Sequence, residues 1–513
     1  MSRLWVIAFL MGLLLISLNG AVEDGINICG PNLCFCDIEV KPIEISCDGI
    51  QLKSFWEEED WNATFLALNL TGNEALSVTF IGNEIEHVPI FPNINITMLY
   101  LQRNKIKSIE PYAFSRLGWL ESLNLAKNDL NSNSLMEGIF FGQFKSDSTG
   151  YFPMPLRHLN LSYNNIHSIP KDSFDHFNSL TTIDLGGNPL ITLEGNSRQA
   201  ISDMPKLEFL GLSNTSISSL PEGMLHGLNY LNALDLSYNL FKTVPKEFQE
   251  NHQLQVLTLD GNLFETLDKD SFQGLGSLVD LSICHIHTLR KIEQYAFSPL
   301  KNLKKLVMAF NPLLKDIDDG AFEDLVEEDN ADQWPIAEIH LNDNGLTQID
   351  QALLPWMQLD YVDIQNNPFR CDCNLEWMVL ELVERIHTST PALTFDLTCA
   401  EPKDMKGKSI NTLTKERELF GRCSRGANGK YGNLVANDYD PTDTDPIKAA
   451  GVTILVIGIL LVVVGLSILG FAVVKRRAIT QALMAPSSQI RYERADTEDG
   501  SEWKYSQPSA GYK

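Results

Sequence analysis

Cysteines are the residues of this chain whose type and spacing most directly suggest chemistry. Close cysteine pairs can bind zinc, but two sets of four in an oxidising compartment favour disulfides. The spacing leaves their connectivity open. The ninth cysteine, Cys284, is expected to be an unpaired and partly shielded thiol, with an intermolecular bridge as the alternative. The two sets have the spacings C-x4-C-x-C-x10-C and C-x-C-x25-C-x23-C, at Cys29, Cys34, Cys36, Cys47, Cys371, Cys373, Cys399 and Cys423.

Enzymatic motifs do not occur in the sequence. The patterns G-x-S-x-G, H-E-x-x-H and G-x4-G-K-S/T are all missing. His340 and Asp363 are expected on adjacent strands, but no nucleophile accompanies them, so a chance surface pair is the better interpretation. We therefore expect no enzyme, no catalytic residue, no metal and no cofactor. The formal net charge of −26 also excludes nucleic acid as a partner, because phosphates select clustered cations.

A leucine repeat accounts for most of the remaining sequence. The phrase L-x-x-L-x-L-x-x-N-x-L is clearest from Leu120 to Leu130, and about twelve copies follow one another between residues 61 and 369. In each L-x-L unit the leucines point to one side of a short strand, so stacked copies predict a parallel sheet over a continuous apolar core. The anchor residue is expected to bond backbone groups where the chain turns. The anchors are Asn83, Asn104, Asn128, Asn164, Asn188, Thr215, Asn239, Asn262, Ile286, Asn311, Asn344 and Asn367.

Both ends of the chain carry membrane-related signals. Residues 1–20 have a basic start and a short apolar run, which is typical of a secretory signal peptide; an uncleaved anchor is the alternative. Residues 449–474 contain no charge and are followed by Lys475, Arg476 and Arg477, which predicts one transmembrane helix with the N-terminus outside. Residues 424–448 read as an acidic stalk. Residues 475–513 read as a cytoplasmic tail that could recruit an adaptor.

The repeats and their cysteine flanks resemble extracellular leucine-rich repeat proteins such as Slit, the Toll ectodomains, the Trk receptors and the Nogo receptor. The resemblance implies an α/β-type solenoid: a leucine-rich repeat horseshoe with a parallel concave sheet. Disulfide caps are expected at residues 21–60 and 370–423, and one transmembrane helix follows. The implied disulfides are Cys29–Cys36, Cys34–Cys47, Cys371–Cys399 and Cys373–Cys423.

Two kinds of surface residue complete the prediction. Asp184, Phe209, Asp235, Val256 and Asp280 fall in the outward positions of neighbouring repeats, and an apolar strip with an acidic border is typical of a protein-binding patch. Free variation of exposed strand residues is the alternative. Glycosylation is expected at the five N-x-S/T sequons, which are Asn62, Asn69, Asn95, Asn160 and Asn214.

The sequence therefore predicts a single-pass type I glycoprotein of the plasma membrane. Its concave face would bind an extracellular protein in cell adhesion or receptor recognition. The alternative is an innate-immune or co-receptor protein that presents its ligand to a separate signalling chain.

Overall fold

The computed structural model describes residues 25–145, 150–325 and 334–413, together with the strands Glu493–Arg494 and Trp503–Lys504. The chain divides into two units, residues 1–434 and 435–513. In the second unit the two described strands pair antiparallel, with Glu493 opposite Lys504. The predicted signal peptide, stalk and transmembrane segment lie outside the described residues. Within the described part, no helix combines the length and the apolar character that a membrane crossing requires.

The first unit is built on one sheet of fourteen strands. The first two strands pair antiparallel, and every later neighbouring pair is parallel. In spatial order, which is also chain order, the strands are Phe35–Asp37, Ile43–Ser46, Leu76–Thr79, Ile96–Tyr100, Ser122–Asn124, His158–Asn160, Thr182–Asp184, Phe209–Gly211, Ala233–Asp235, Val256–Thr258, Asp280–Ser282, Lys305–Val307, Glu338–His340 and Tyr361–Asp363. The predicted parallel sheet is confirmed.

We call each strand of the main sheet a rung. The middle residue of each rung points into the core. Leu234, Leu257, Leu281 and Leu306 are partners in register on four successive strands, and each is at most 1% exposed. Because strand residues alternate in direction, the residues on either side of these leucines point to the other face of the sheet. The spacing of about 4.8 Å between strands keeps the leucines in contact from rung to rung.

Anchor side chains connect consecutive turns of the coil, as Asn239 illustrates. Its Nδ2 donates to the carbonyl oxygens of Leu212 and Leu236 at 2.7 and 3.0 Å. Its Oδ1 accepts from the backbone N–H groups of Thr215 and Ile217 at 3.0 and 3.2 Å. The amide therefore satisfies backbone groups that are buried between two turns. This confirms the predicted role of the anchor asparagine.

Short elements cover the back of the core. Phenylalanines from successive repeats stack there, with ring centroids 5.7 Å apart for Phe272 and Phe297 and 4.7 Å apart for Phe297 and Phe322. The back strands are His87–Val88, Ser108–Ile109, Thr266–Leu267, Lys291–Ile292 and Asp316–Ile317. The α-helices of the first unit are Glu58–Ala67, Asn196–Ser202, Val383–Ser389 and Ile410–Leu413. The 3-10 turns are Ser132–Leu135, Lys246–Glu250, Gln351–Leu353, Trp356–Gln358, Cys373–Leu375 and Pro391–Thr394, and Met378–Leu382 is a π-helical turn.

Disulfides close both ends of the core. Cys29 is bonded to Cys36 and Cys34 to Cys47, which are the pairs that the family resemblance implied. At the other end, Cys371 is bonded to Cys399, beside the paired strands Phe369–Arg370 and Cys399–Glu401. Cys373 is disulfide-bonded, and its implied partner Cys423 lies outside the described residues.

Candidate ligand-binding face

The strand register brings the predicted ligand-binding residues together on the outer face of the sheet. Phe209, Ala233, Val256 and Asp280 are successive register partners, so they form one row across four strands. All four side chains are partly buried. We call Phe209, Ala233 and Val256 the apolar row.

Asp184 and Asp235 lie in the neighbouring row, on either side of Gly211. A Cβ atom at position 211 would lie 2.6 Å from Asp184 Oδ1, so glycine makes room for that carboxylate. Each carboxylate also accepts a bond from the backbone N–H two residues later, at 2.9 Å from Gly186 and from Ser237. These aspartates therefore stabilise the turn after their strand, and they border the apolar row as well.

A further aspartate, Asp260, was not among the sequence-predicted residues. It is 5% exposed, and its Oδ1 accepts from Ser282 Oγ and from the Cys284 backbone N–H, both at 2.7 Å. Asp260 directly follows the L-x-L unit. Alternation of side chains along a strand does not predict the direction of a residue that lies beyond the strand. Asp48 lies two residues after the strand Ile43–Ser46, as Asp260 lies two residues after Val256–Thr258, and it binds Thr79 and the Ile81 N–H in the same way.

The carboxylates of this face are protonated more readily than ordinary aspartates. Burial raises the pKa of Asp260 to about 7, and the neighbouring Asp235 and Asp280 carboxylates add to this rise. Burial likewise raises the pKa of Asp235 and of Asp280 to about 6, and it raises the pKa of Asp184. In each case the cause is the cost of holding a charge away from water.

Beyond Asp280 the face becomes a charged cluster. Lys305 Nζ lies 3.0 Å from Glu338 Oε1, and His340 Nε2 lies 2.5 Å from the same oxygen. The bond from His340 is the main reason that the pKa of Glu338 falls to about 2. His340 and Asp363 are register partners, as predicted, but the described Nε2 contact of His340 is to Glu338. The arrangement is an ion-paired cluster joined through one carboxylate oxygen.

Cys284 differs from its prediction in one respect. It is a free cysteine, as expected, but it is fully buried rather than partly shielded. The side chain lies against Val307 and Ala309, and the Ala309 backbone N–H approaches its sulfur at 3.4 Å. Burial raises the pKa of its thiol. The next rung covers this position, which strand alternation could not reveal.

Aromatic side chains form an edge beside this face that the sequence reasoning also missed. His285 and Phe310 stack with centroids 4.7 Å apart, and Tyr238 stacks on His285 at 6.5 Å. Tyr163 and Tyr238 remain about half exposed, at 53% and 52%. Each of these residues directly precedes an anchor position, and that spacing was the available signal.

The five sequons differ in accessibility. Asn62, Asn69 and Asn214 are exposed, whereas Asn95 and Asn160 are partly buried. Asn160 lies in the sheet next to Asp184, and its Oδ1 accepts from the Ser162 N–H at 2.9 Å. In the described part of the chain, no group of three or more histidine, cysteine or acidic side chains is placed to hold a metal ion.

Comparison with known proteins defines the class of protein. A family described as a leucine-rich repeat region matches residues 155–383, and one described as a leucine rich repeat matches residues 90–134. The chain is a leucine-rich repeat protein with an N-terminal disulfide cap.

Individual relatives match part of the chain. Tsukushi of Gallus gallus is 27% identical over 278 residues, which cover 54% of this chain and 69% of that protein. Tsukushi of Mus musculus is 31% identical over 217 residues, covering 42% of this chain and 51% of that protein. Osteomodulin of Rattus norvegicus is 30% identical over 213 residues, covering 39% and 48%. The chain thus spans about half the length of the last two. These relatives are not enzymes, and this chain is not one either.

Two solved structures align with part of this chain. The TLR13–ssRNA13 complex gives a TM-score of 0.46 with 22% identity, covering 70% of this chain and 55% of that one. The Toll–Spatzle complex of Drosophila gives a TM-score of 0.42 with 18% identity, covering 70% and 59%.

Proposed function

We propose that this protein is a single-pass cell-surface glycoprotein that binds an extracellular protein through the outer face of its main sheet, in adhesion or receptor recognition. The observation that carries the proposal is the apolar row, bordered by the carboxylates of Asp184, Asp235 and Asp280. A contact of this kind gains from desolvation at its centre and from charge complementarity at its rim.

The chemistry of the face also suggests the chemistry of the ligand. A carboxylate with a raised pKa ionises only at a cost in free energy, because its charge is held away from water. A cationic side chain of the ligand would offset that free energy. A ligand segment with apolar side chains flanked by lysine or arginine would suit the face. Lys305 limits this preference at one end, because it is the register partner of Asp280.

The location outside the cell is supported by the disulfides at both ends of the solenoid. The orientation rests on the sequence of residues 1–20, 449–474 and 475–477, of which the structure describes nothing. The cytoplasmic tail, residues 475–513, would bind an adaptor protein.

The binding face is tested by substitution. A proteome-wide binding screen with residues 21–448 would first identify the ligand. Phe209→Ala should then weaken ligand binding about tenfold or more, ~1.4 kcal/mol, because it removes the largest side chain of the apolar row. Asp184, Asp235 and Asp280 changed together to asparagine should also weaken binding. Asparagine keeps the acceptor oxygens that hold the backbone at positions 186 and 237.

Tyr230→Ala is the matched control, because Tyr230 is a large exposed aromatic residue that lies outside the two rows. It should leave the affinity within about twofold. Full affinity in both the Phe209→Ala variant and the triple asparagine variant would show that the ligand binds elsewhere.

A further inference from the structure

A cleft of about 360 Å³ opens beside the starts of two neighbouring strands, away from the apolar row. Its wall includes side chains from three consecutive repeats and from an insertion between Asn128 and Asn164, where the anchors are 36 residues apart instead of the 24 of the repeats on either side. The lining residues include Asn73, Asn95, Arg116, Gly118, Trp119 and Gln143.

Asn95 and Trp119 occupy equivalent positions on adjacent rungs. Met98 is the register partner of Ser122, and each of the two cleft residues lies three positions before its strand partner. Neighbouring rungs are about 4.8 Å apart, so the Trp119 indole stands one rung from the Asn95 side chain. Trp119 is 66% exposed, an unusual condition for so large an apolar side chain beside a cleft.

The amide of Asn95 is half satisfied. Its Nδ2 donates to the carbonyl oxygen of Asn73 at 2.8 Å. Its Oδ1 is buried and has no hydrogen-bond partner. An acceptor in this state calls for a donor that is not part of the described chain.

Asn95 is also the first residue of the sequon Asn95-Ile96-Thr97. We propose that this cleft holds the first sugar of an N-linked glycan on Asn95, with the apolar face of the sugar against the Trp119 indole. Sugar hydroxyl and acetamide groups are donors of the kind that the unpaired Oδ1 requires. The Nδ2 atom keeps one N–H after glycosylation, so its bond to Asn73 can persist.

The attachment takes an oligosaccharide from a lipid-linked pyrophosphate donor. The bond between the sugar C1 and the phosphate oxygen breaks, the bond between C1 and Asn95 Nδ2 forms, and Nδ2 loses one proton. The lipid pyrophosphate leaves. No oxidant or reductant is involved.

The insertion contributes one wall of the cleft. A Cβ atom at position 118 would lie 2.2 Å from Gln143 Nε2, so glycine lets the Gln143 side chain lie against the rung that carries Trp119. Arg116 and Gln143 supply polar groups around the indole. A glycan held here would leave the apolar row open, whereas a glycan on Asn160 would stand in the sheet itself.

The test uses the full-length chain produced in animal cells. Mass spectrometry of glycopeptides should find Asn95 occupied. Under native conditions, peptide N-glycosidase should release this glycan roughly tenfold more slowly than the glycans on the exposed residues Asn62 and Asn69. Trp119→Ala should raise the release rate at Asn95 to that of the exposed sites. Tyr230→Ala, at another exposed aromatic residue, should not change it.

Three outcomes would overturn the proposal: an unoccupied Asn95 while Asn62 and Asn69 are occupied, equally fast release at all three sites, or slow release that persists in the Trp119→Ala variant. Since Trp119 is largely exposed, its replacement leaves the core intact. If all three sequons are unoccupied, the extracellular location in the proposed function also fails. Loss at Asn95 alone leaves that function untouched.

Discussion

Asp260→Asn should stabilise this protein at alkaline pH although it removes a buried charge. Burial raises the pKa of Asp260 from 3.8 to about 7, so the folded state holds a proton more tightly than the unfolded chain does. Ionising Asp260 therefore lowers the free energy of unfolding. This loss is absent below the pKa that Asp260 has in the unfolded chain, grows as the pH rises, and is complete above about pH 7. Asparagine abolishes this loss and keeps the acceptor oxygen that binds Ser282 and the Cys284 N–H.

The size of the effect follows from the two pKa values. The interval from 3.8 to about 7 corresponds to a ceiling of ~4 kcal/mol, at about 1.4 kcal/mol per pH unit. Replacing a charged acceptor by a neutral one loses about 1 kcal/mol. The Asp260→Asn variant should therefore be more stable than the wild type by roughly 2 to 3 kcal/mol at pH 8. At pH 4.5 its advantage should disappear.

Urea unfolding of residues 21–448, followed by circular dichroism at the two pH values, measures this difference. Asp48→Asn is the matched control. Asp48 makes the same pair of bonds, to Thr79 Oγ1 and the Ile81 N–H at 2.7 Å, but it is exposed. Because Asp48 is exposed, its substitution should not reproduce the gain in stability at pH 8. An Asp260→Asn variant that is less stable than the wild type at pH 8 would refute the reasoning.

Two further predictions concern the solenoid and the membrane. Asn239→Ala should lower the free energy of unfolding by about 3 to 5 kcal/mol, because it leaves several buried backbone groups without partners. Asn229→Ala, at an exposed site, is the control for urea unfolding and should change stability by less than about 0.5 kcal/mol. An epitope tag inserted between residues 20 and 25, after the predicted signal peptide, should bind antibody on intact cells. A tag after residue 513 should bind antibody only on permeabilised cells. Accessibility of both tags on intact cells would contradict the single-span proposal.

Local sequence was sufficient to predict the rungs. The L-x-L period specifies which side of each strand is buried, and Leu234, Leu257 and Leu281 lie in the core as that period requires. The anchor asparagines were predictable for the same reason, since their bonds reach backbone groups at a constant repeat interval. The row of Phe209, Ala233 and Val256 also followed from the period, because parallel register aligns equivalent positions.

The electrostatic character of the face depended on neighbours that the period does not specify. Asp260 owes its raised pKa to burial beneath the next rung and to the nearby Asp235 and Asp280 carboxylates, and the bonds that it accepts from Ser282 and Cys284 only partly offset this rise. The same packing buries Cys284 completely, and it joins Lys305, Glu338 and His340 through one carboxylate oxygen.

The repeat pattern thus determined the coil, its core and the order of its outward side chains, because alternation and hydrogen bonding act over a few residues. Tertiary structure decided which side chains lose contact with water and which ones meet across rungs. It places Trp119 and Asn95 around one cleft. It also raises the pKa values of Asp235, Asp260 and Asp280 by burying them. Desolvation depends on every atom packed around a group, and those atoms come from turns of the chain that are distant in sequence.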